Sequence, residues 1–89
     1  MSVDLVAEAR AEIDGIDRQL LELVNRRLEV VRRLHDHKVA NGIPLRDPGR
    51  EESMVRDLQG ANRGPLSDDG VRALVHHVLE LTRRELYGE

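Results

Sequence analysis

The chain has 89 residues and a formal net charge of −3, with 35% charged residues and 1% aromatic residues. This length predicts a single domain over residues 1–89, and the acidic balance and missing aromatic side chains argue against a nucleic-acid binder. The chain contains no cysteine, which excludes disulfides and thiolate metal sites. The N-terminal segment has no long apolar run, so we expect neither a signal peptide nor a membrane span, and a cytoplasmic protein.

The first predicted helix runs from about Asp4 to Asn41. Asp4 or Ser2 can cap its start, and Gly42 is suited to end it. At 1.5 Å per residue such a helix is roughly 55 Å long, more than two short helices can cover. Its apolar residues recur every three or four positions and form what we call the apolar stripe: Ile13, Ile16, Leu20, Leu23, Val30 and Leu34. The stripe therefore predicts association with a second long helix, most simply that of another copy.

Two shorter helices follow. Asp47-Pro48 predicts the start of the second helix, because Asp is a preferred N-cap and Pro a preferred first residue. That helix is expected to end near Gln59-Gly60. Ser67 predicts the N-cap of the third helix, which runs to about Tyr87. No strand-like alternation is present, so the predicted fold class is all-α with three helices, one of them very long.

Polar residues interrupt these apolar faces. Arg27 and Lys38 continue the stripe of the first helix, and Arg10 lies one step before it. Buried cations are costly unless an anion meets them. With the polar residues that share the inner faces of the later helices, the inward set is Arg10, Arg27, Lys38, Asp47, Arg50, Glu51 and Thr82. Four cations against two carboxylates predict a small anionic ligand, such as a dicarboxylate.

The same residues allow a structural interpretation. Arg27 and Arg50 could pair with Glu51 and Asp47 in an internal network, and the Thr82 hydroxyl could be satisfied within its own helix. The histidines are spaced so that no two of them share a helix face, which does not predict a metal site.

In order and spacing these motifs resemble the AroQ-class chorismate mutases, over nearly the whole chain. The most specific segment is Arg46-Asp47-Pro48-Gly49-Arg50-Glu51. Asn62-x-Gly64-Pro65 resembles the connector of members fused to, or working beside, DAHP synthase. The remaining matches are Arg10 with Ile13-Asp14-Gly15-Ile16-Asp17, the run from Leu20 to Arg27, and Lys38.

The resemblance implies an intertwined homodimer that rearranges chorismate, a dianion, to prephenate without a metal, cofactor or nucleophile. Each site would take one arginine, by position Arg10, from the partner chain. The implied catalytic residues are Lys38, Arg27 and Glu51. By the same resemblance, Arg10, Arg27 and Thr82 would contact carboxylates of the substrate, and Arg50 would orient the site. Lys38 would contact a carboxylate and the ether oxygen. Glu51 and Asp47 would lie around the ring hydroxyl.

One position departs from the family pattern. Leu86 stands where the family usually has Gln or Glu donating to the ether oxygen, so the isolated protein is expected to be only modestly active. Activation by DAHP synthase is one expectation that follows. Three alternatives stay open: a 4-amino-4-deoxychorismate mutase, an isochorismate-pyruvate lyase, and a non-catalytic helical dimer that regulates a partner enzyme.

Overall fold

The computed structural model describes residues 4–88 and contains three helices: α1 (Leu5–Ala40), α2 (Arg50–Ala61) and α3 (Asp68–Tyr87). No strand occurs within that range, which confirms the predicted all-α fold. The first helix, α1, is very long, as predicted, and has 36 residues. The chain divides between Leu34 and His35 into two compact units. None of the described helices is both long enough and apolar enough to cross a membrane.

Both ends of α1 carry the expected capping residues. The backbone N–H of Ala7 donates to Asp4 Oδ1 at a long 3.4 Å. The alternative cap, Ser2, lies outside the described residues. At the other end Gly42 has a φ of +65°, and the backbone N–H of Ile43 donates to the Lys38 carbonyl at 2.9 Å. This is a Schellman motif, in which glycine adopts a left-handed conformation that other residues find strained. The motif fixes the backbone at Lys38.

The apolar stripe of α1 is uncovered in the single chain. No described residue of α1 is buried. The six residues of the stripe each expose between 49% and 56% of their surface. At roughly 1.5 Å per residue, α1 is about 54 Å long and α3 only about 30 Å. A helix of the length of α3 is therefore too short to cover the whole of α1.

The start of α2 differs from the prediction. Asp47 is not the N-cap, because α2 begins at Arg50 with Gly49 in the capping position and no side-chain cap. The backbone N–H of Arg50 donates instead to the Asp47 carbonyl at 3.0 Å. Pro48 and Gly49 thus form a turn that precedes the helix. An Asp-Pro pair favours a turn as well as a helix start, and here the glycine after it extends the turn.

The core between α2 and α3 is small and aliphatic. Val55, Val71 and Val75 are buried, and Met54 and Leu79 pack against them. Leu58 and Leu74 follow the buried Val55 and Val71 by three residues each, yet they are 40% and 51% exposed in the single chain.

The connector holds α3 against α2 through hydrogen bonds. The Asn62 side chain donates to the Leu66 carbonyl at 2.7 Å and accepts from the Gly64 N–H at 3.2 Å. Gln59 Nε2 donates to the Asp68 carbonyl at 3.1 Å. Ser67 caps α3 as predicted, its Oγ accepting from the Gly70 N–H at 3.0 Å. These contacts fix the register in which side chains of α2 meet those of α3.

Candidate functional site

The two predicted cations in the first unit lie on α1. Arg27 is half-buried and lines a shallow surface groove of about 290 Å³ with Leu23, Arg26 and Val30. Arg10 is exposed. Arg27 therefore lies beside two apolar residues of the stripe, Leu23 and Val30, each of which is more than half exposed in the single chain.

Lys38 and Leu86 lie on neighbouring turns of the second unit. Lys38 is half-buried and follows His35 by one helical turn. The His35 ring packs edge-on against the Tyr87 ring, with centroids 4.8 Å apart and planes at 67°. Leu86, also half-buried, directly precedes Tyr87. The aromatic contact thus brings the end of α3 beside the turn of α1 that carries Lys38.

Asp47 and Arg50 are both exposed at the start of α2. Among the described residues, no ion pair joins the Arg50 guanidinium to the carboxylate of Asp47 or Glu51. The structural network considered for these residues is therefore not formed around Arg50. Its charge faces solvent in the single chain.

Glu51 meets a residue that the sequence analysis did not select. Glu51 Oε1 lies 3.6 Å from His76 Nδ1, and His76 Nε2 lies 3.5 Å from Glu80 Oε2. All three side chains are about half exposed. Glu51 and His76 border a shallow depression of about 530 Å³, which is also lined by Asp69, Arg72, Ala73 and His77. The spacing of His76 and Glu80, four residues apart on one helix, was a usable signal. The register of α2 against α3, which brings Glu51 beside them, could not be predicted from the sequence.

Thr82 is the only predicted site residue that the single chain buries, at 7% exposure. Its Oγ1 donates to the Val78 carbonyl at 2.7 Å. This is the local arrangement weighed against a ligand contact in the sequence analysis. A bound carboxylate would have to attract the hydroxyl proton away from that carbonyl.

A two-point ion pair links α2 to α3 beside the depression. Arg72 Nη1 and Nη2 lie 3.0 Å from Glu52 Oε2 and Oε1 respectively. The hydrogen bonds from Arg72, together with its positive charge, lower the pKa of the Glu52 carboxyl, and Glu52 raises the pKa of Arg72. Glu52 is thus the main partner of Arg72, and the negative charges of Asp69 and Glu51 also raise the pKa of Arg72.

Replacing Glu52 with Gln should make the free energy of unfolding depend less steeply on pH in the acid range. A lowered carboxyl pKa in the folded state stabilises the fold above the ordinary glutamate pKa of about 4.3, and this contribution is lost as pH falls through the folded value. We expect a small effect because the pair is exposed. Urea midpoints between pH 3 and pH 7 measure it. Asp57→Asn, on the same helix, is the control and should keep the wild-type slope; equal slopes for Glu52→Gln and wild type would contradict the prediction.

The all-helical fold and the long first helix, whose apolar stripe is uncovered in the single chain, define a class of small helical proteins. The profile of the family "Chorismate mutase type II" matches residues 9–86. The chain belongs to this family. The matched range includes all seven predicted site residues and Leu86, so the resemblance found from the motifs is confirmed at the level of the family.

Three characterised relatives give the range of similarity. The chain is 33% identical over 87 residues to the T-protein of Haemophilus influenzae, covering 96% of this chain and 22% of that protein. It is 34% identical over 76 residues to the bifunctional chorismate mutase/prephenate dehydratase of Neisseria gonorrhoeae, covering 85% of this chain and 20% of that protein. It is 42% identical over 48 residues to the 4-amino-4-deoxychorismate mutase of Streptomyces venezuelae, covering 54% of this chain and 46% of that protein. The chain spans about a fifth of the length of the first two relatives.

Proposed function

We propose that the protein is a chorismate mutase, an isomerase that converts chorismate to prephenate in aromatic amino-acid biosynthesis. The observation that carries the proposal is the family match over residues 9–86, which includes every cation that the sequence places on the inner faces. The chain provides charge and shape, which this reaction needs. One ether C–O bond breaks and one C–C bond forms within the same molecule, so no group leaves and no external proton is required.

Catalysis would then be electrostatic and conformational. Arg27, with Arg10 of a second copy, holds the two carboxylates and so favours the compact conformer in which the reacting carbons approach each other. The Lys38 ammonium stabilises the negative charge that develops on the ether oxygen. Glu51 accepts a hydrogen bond from the ring hydroxyl, with Asp47 beside it, and Arg50 orients the carboxylates. Thr82 contributes a hydroxyl to one carboxylate.

We propose that two copies form this site together. The apolar stripe of α1 runs along a 36-residue helix that has no buried residue, and a protein of this size rarely leaves such a row in water. A second α1 is the one partner with the same length and the same spacing of apolar residues. Pairing the two stripes would also bring the half-buried Arg27 into a drier environment, where its attraction to an anion is stronger.

Replacing Leu20 with Glu should convert the dimer to monomers. Leu20 lies within the stripe and is 56% exposed in the single chain. A carboxylate forced into an apolar interface costs several kcal/mol, so the dissociation constant should rise by at least about a hundredfold. Sedimentation velocity across a dilution series measures it. Asn25→Glu adds the same charge on the opposite face of α1 and should leave the dimer intact; a wild-type protein that is monomeric at all concentrations would disprove the shared site.

The function is tested with a panel of three substrates: chorismate, isochorismate and 4-amino-4-deoxychorismate. We expect the largest kcat/KM for chorismate and prephenate as its product. No acceleration of chorismate loss above the uncatalysed rate would overturn the assignment and favour a non-catalytic regulatory dimer. Release of pyruvate from isochorismate would instead indicate a lyase.

The second candidate, 4-amino-4-deoxychorismate mutase, has one observation in its favour. Of the three relatives compared, the protein of that name has the highest identity, 42%, although over only 48 residues. Glu51 suits both substrates, because a carboxylate accepts a hydrogen bond from a hydroxyl or from an ammonium group. A kcat/KM for the amino substrate that exceeds the value for chorismate would establish this candidate.

We further propose that a partner enzyme increases turnover by reshaping the end of α3. Leu86 offers no hydrogen bond to the ether oxygen, and in the same turn the Tyr87 ring packs against the His35 ring of α1. DAHP synthase is the proposed partner. Titrating DAHP synthase into the assay should raise kcat/KM in a saturable manner, and unchanged turnover would remove this part of the proposal.

A further inference from the structure

We infer that Arg72 and Glu52 form a positioning pair, which orients the first turn of α2 and with it the proposed substrate contacts of Arg50 and Glu51. The inference rests on the proposed function, because this turn matters to the site through those two side chains. It concerns two residues to which neither the motifs of the sequence nor the resemblance to a family assigns a role.

The first turn of α2 has no capping side chain, because Gly49 occupies the N-cap position. By contrast, α3 begins after Ser67, whose Oγ accepts from the Gly70 N–H at 3.0 Å. A capping side chain stabilises the end of a helix by satisfying one of its free N–H groups. The first turn of α2 therefore depends more than that of α3 on contacts with the rest of the chain.

Glu52, the third residue of α2, makes such a contact. Its Oε2 and Oε1 accept hydrogen bonds from Nη1 and Nη2 of Arg72 on α3, both at 3.0 Å. Each side chain is about half exposed, and an exposed ion pair with a single contact would contribute little. Two hydrogen bonds from one planar guanidinium, however, fix the orientation of the carboxylate as well as its distance. The pair therefore anchors the first turn of α2 to α3.

The anchored turn carries two residues of the proposed site. Arg50 and Glu51 directly precede Glu52, and both side chains are exposed. Glu51 and Arg72 also line the same depression, so the anchor lies beside the proposed contact with the ring hydroxyl. A turn that frays must be ordered when substrate binds, and ordering weakens affinity. Because the substrate and the transition state use these contacts alike, loss of the anchor should raise KM and leave kcat nearly unchanged.

The first experiment measures KM and kcat for chorismate with Arg72→Gln, Glu52→Gln and the double variant. We expect KM to rise about two- to fivefold in each, the size typical of exposed ion pairs, while kcat changes less. The double variant should match the single ones, because either substitution already removes the same contact. Arg84→Gln is the matched control and should keep the wild-type KM. It removes a guanidinium from the same helix, but one whose contact with Glu80, at 4.0 Å, stays within α3.

The direction of the two single effects separates positioning from charge. Chorismate is a dianion, so a purely electrostatic effect would raise KM in Arg72→Gln and lower it in Glu52→Gln. Positioning predicts a rise in both. Arg72→Lys keeps the positive charge but loses the planar two-point contact, so its KM should also rise. Opposite signs for the two glutamine variants, or a wild-type KM in any of the three, would overturn the inference. Circular dichroism checks that each variant retains its helices.

A second readout needs no substrate. The Ser53 N–H donates to the Gly49 carbonyl at 3.1 Å and closes the first turn of α2. Hydrogen exchange at this amide, followed by NMR, should be severalfold faster in Arg72→Gln and Glu52→Gln than in the wild type, and unchanged in Arg84→Gln. If the wild type does not turn over chorismate, the proposed function fails while exchange still tests the anchor. If turnover is normal but either KM or exchange at Ser53 is the same in Arg72→Gln as in the wild type, the positioning role is wrong and the proposed function stands.

Discussion

Replacing Lys38 with Ala should lower kcat for chorismate by about 10²–10³-fold, with a smaller effect on KM. With Leu86 at the usual donor position, Lys38 is the proposed group that meets the charge developing on the ether oxygen. An interaction made mainly in the transition state appears in kcat when it is removed. The Schellman motif at Gly42 holds the Lys38 backbone without help from its side chain, so the variant should fold.

Arg33→Ala is the matched control for Lys38→Ala. It removes one positive charge from the same helix, but at an exposed position off the stripe. Stopped-flow or spectrophotometric chorismate depletion at saturating substrate gives kcat for both variants. The two should differ by at least about tenfold. Equal rates would show that the loss reflects net charge and that Lys38 does not contact the reacting atoms.

Replacing Leu86 with Gln should raise kcat by about ten- to a hundredfold. One donor to a developing oxyanion is worth about 2.7–4 kcal/mol in sites adapted to it, and a new donor in an unadapted site should recover part of that. The position is suitable because the contact between His35 and Tyr87 brings this turn of α3 beside the turn of Lys38. Leu86 is only half-buried, so the amide should not be trapped without partners.

The control for Leu86→Gln is Leu81→Gln, the same change at a more exposed position of α3. It should leave kcat near the wild-type value. Adding DAHP synthase gives a second check, because a partner that acts by supplying or ordering a donor here should activate Leu86→Gln less than the wild type. A rate for Leu86→Gln at or below that of the wild type would contradict the assigned position of the ether oxygen.

The sequence was sufficient where one local signal determined the structure. Gly42 and Ser67 each have one dominant use, a left-handed C-terminal cap and an N-cap, and both helix ends were predicted correctly. Asp47-Pro48 was ambiguous, since the pair favours a turn as strongly as a helix start, and α2 begins only at Arg50. Helical period alone cannot resolve this choice.

The spacing of apolar residues in the sequence did not predict the contacts between helices. Leu74, three residues after the buried Val71, is exposed in the single chain, whereas Leu79, four residues after Val75, packs on the valine core. His76 was weighed only against other histidines, because its meeting with Glu51 depends on the register that the connector imposes. The proposed arrangement of the cations around one anion would likewise involve a second copy, and the periodicity of one chain does not describe contacts between copies.

The valine core has a thermodynamic consequence. Within residues 4–88 the only buried side chains are Val55, Val71, Val75 and Thr82, too few to offset the conformational entropy of the chain. In the proposed dimer most of the stabilising burial would therefore come from the stripe, and folding and subunit association would be one coupled equilibrium. Melting temperature should then depend on protein concentration, and dilution should favour unfolding.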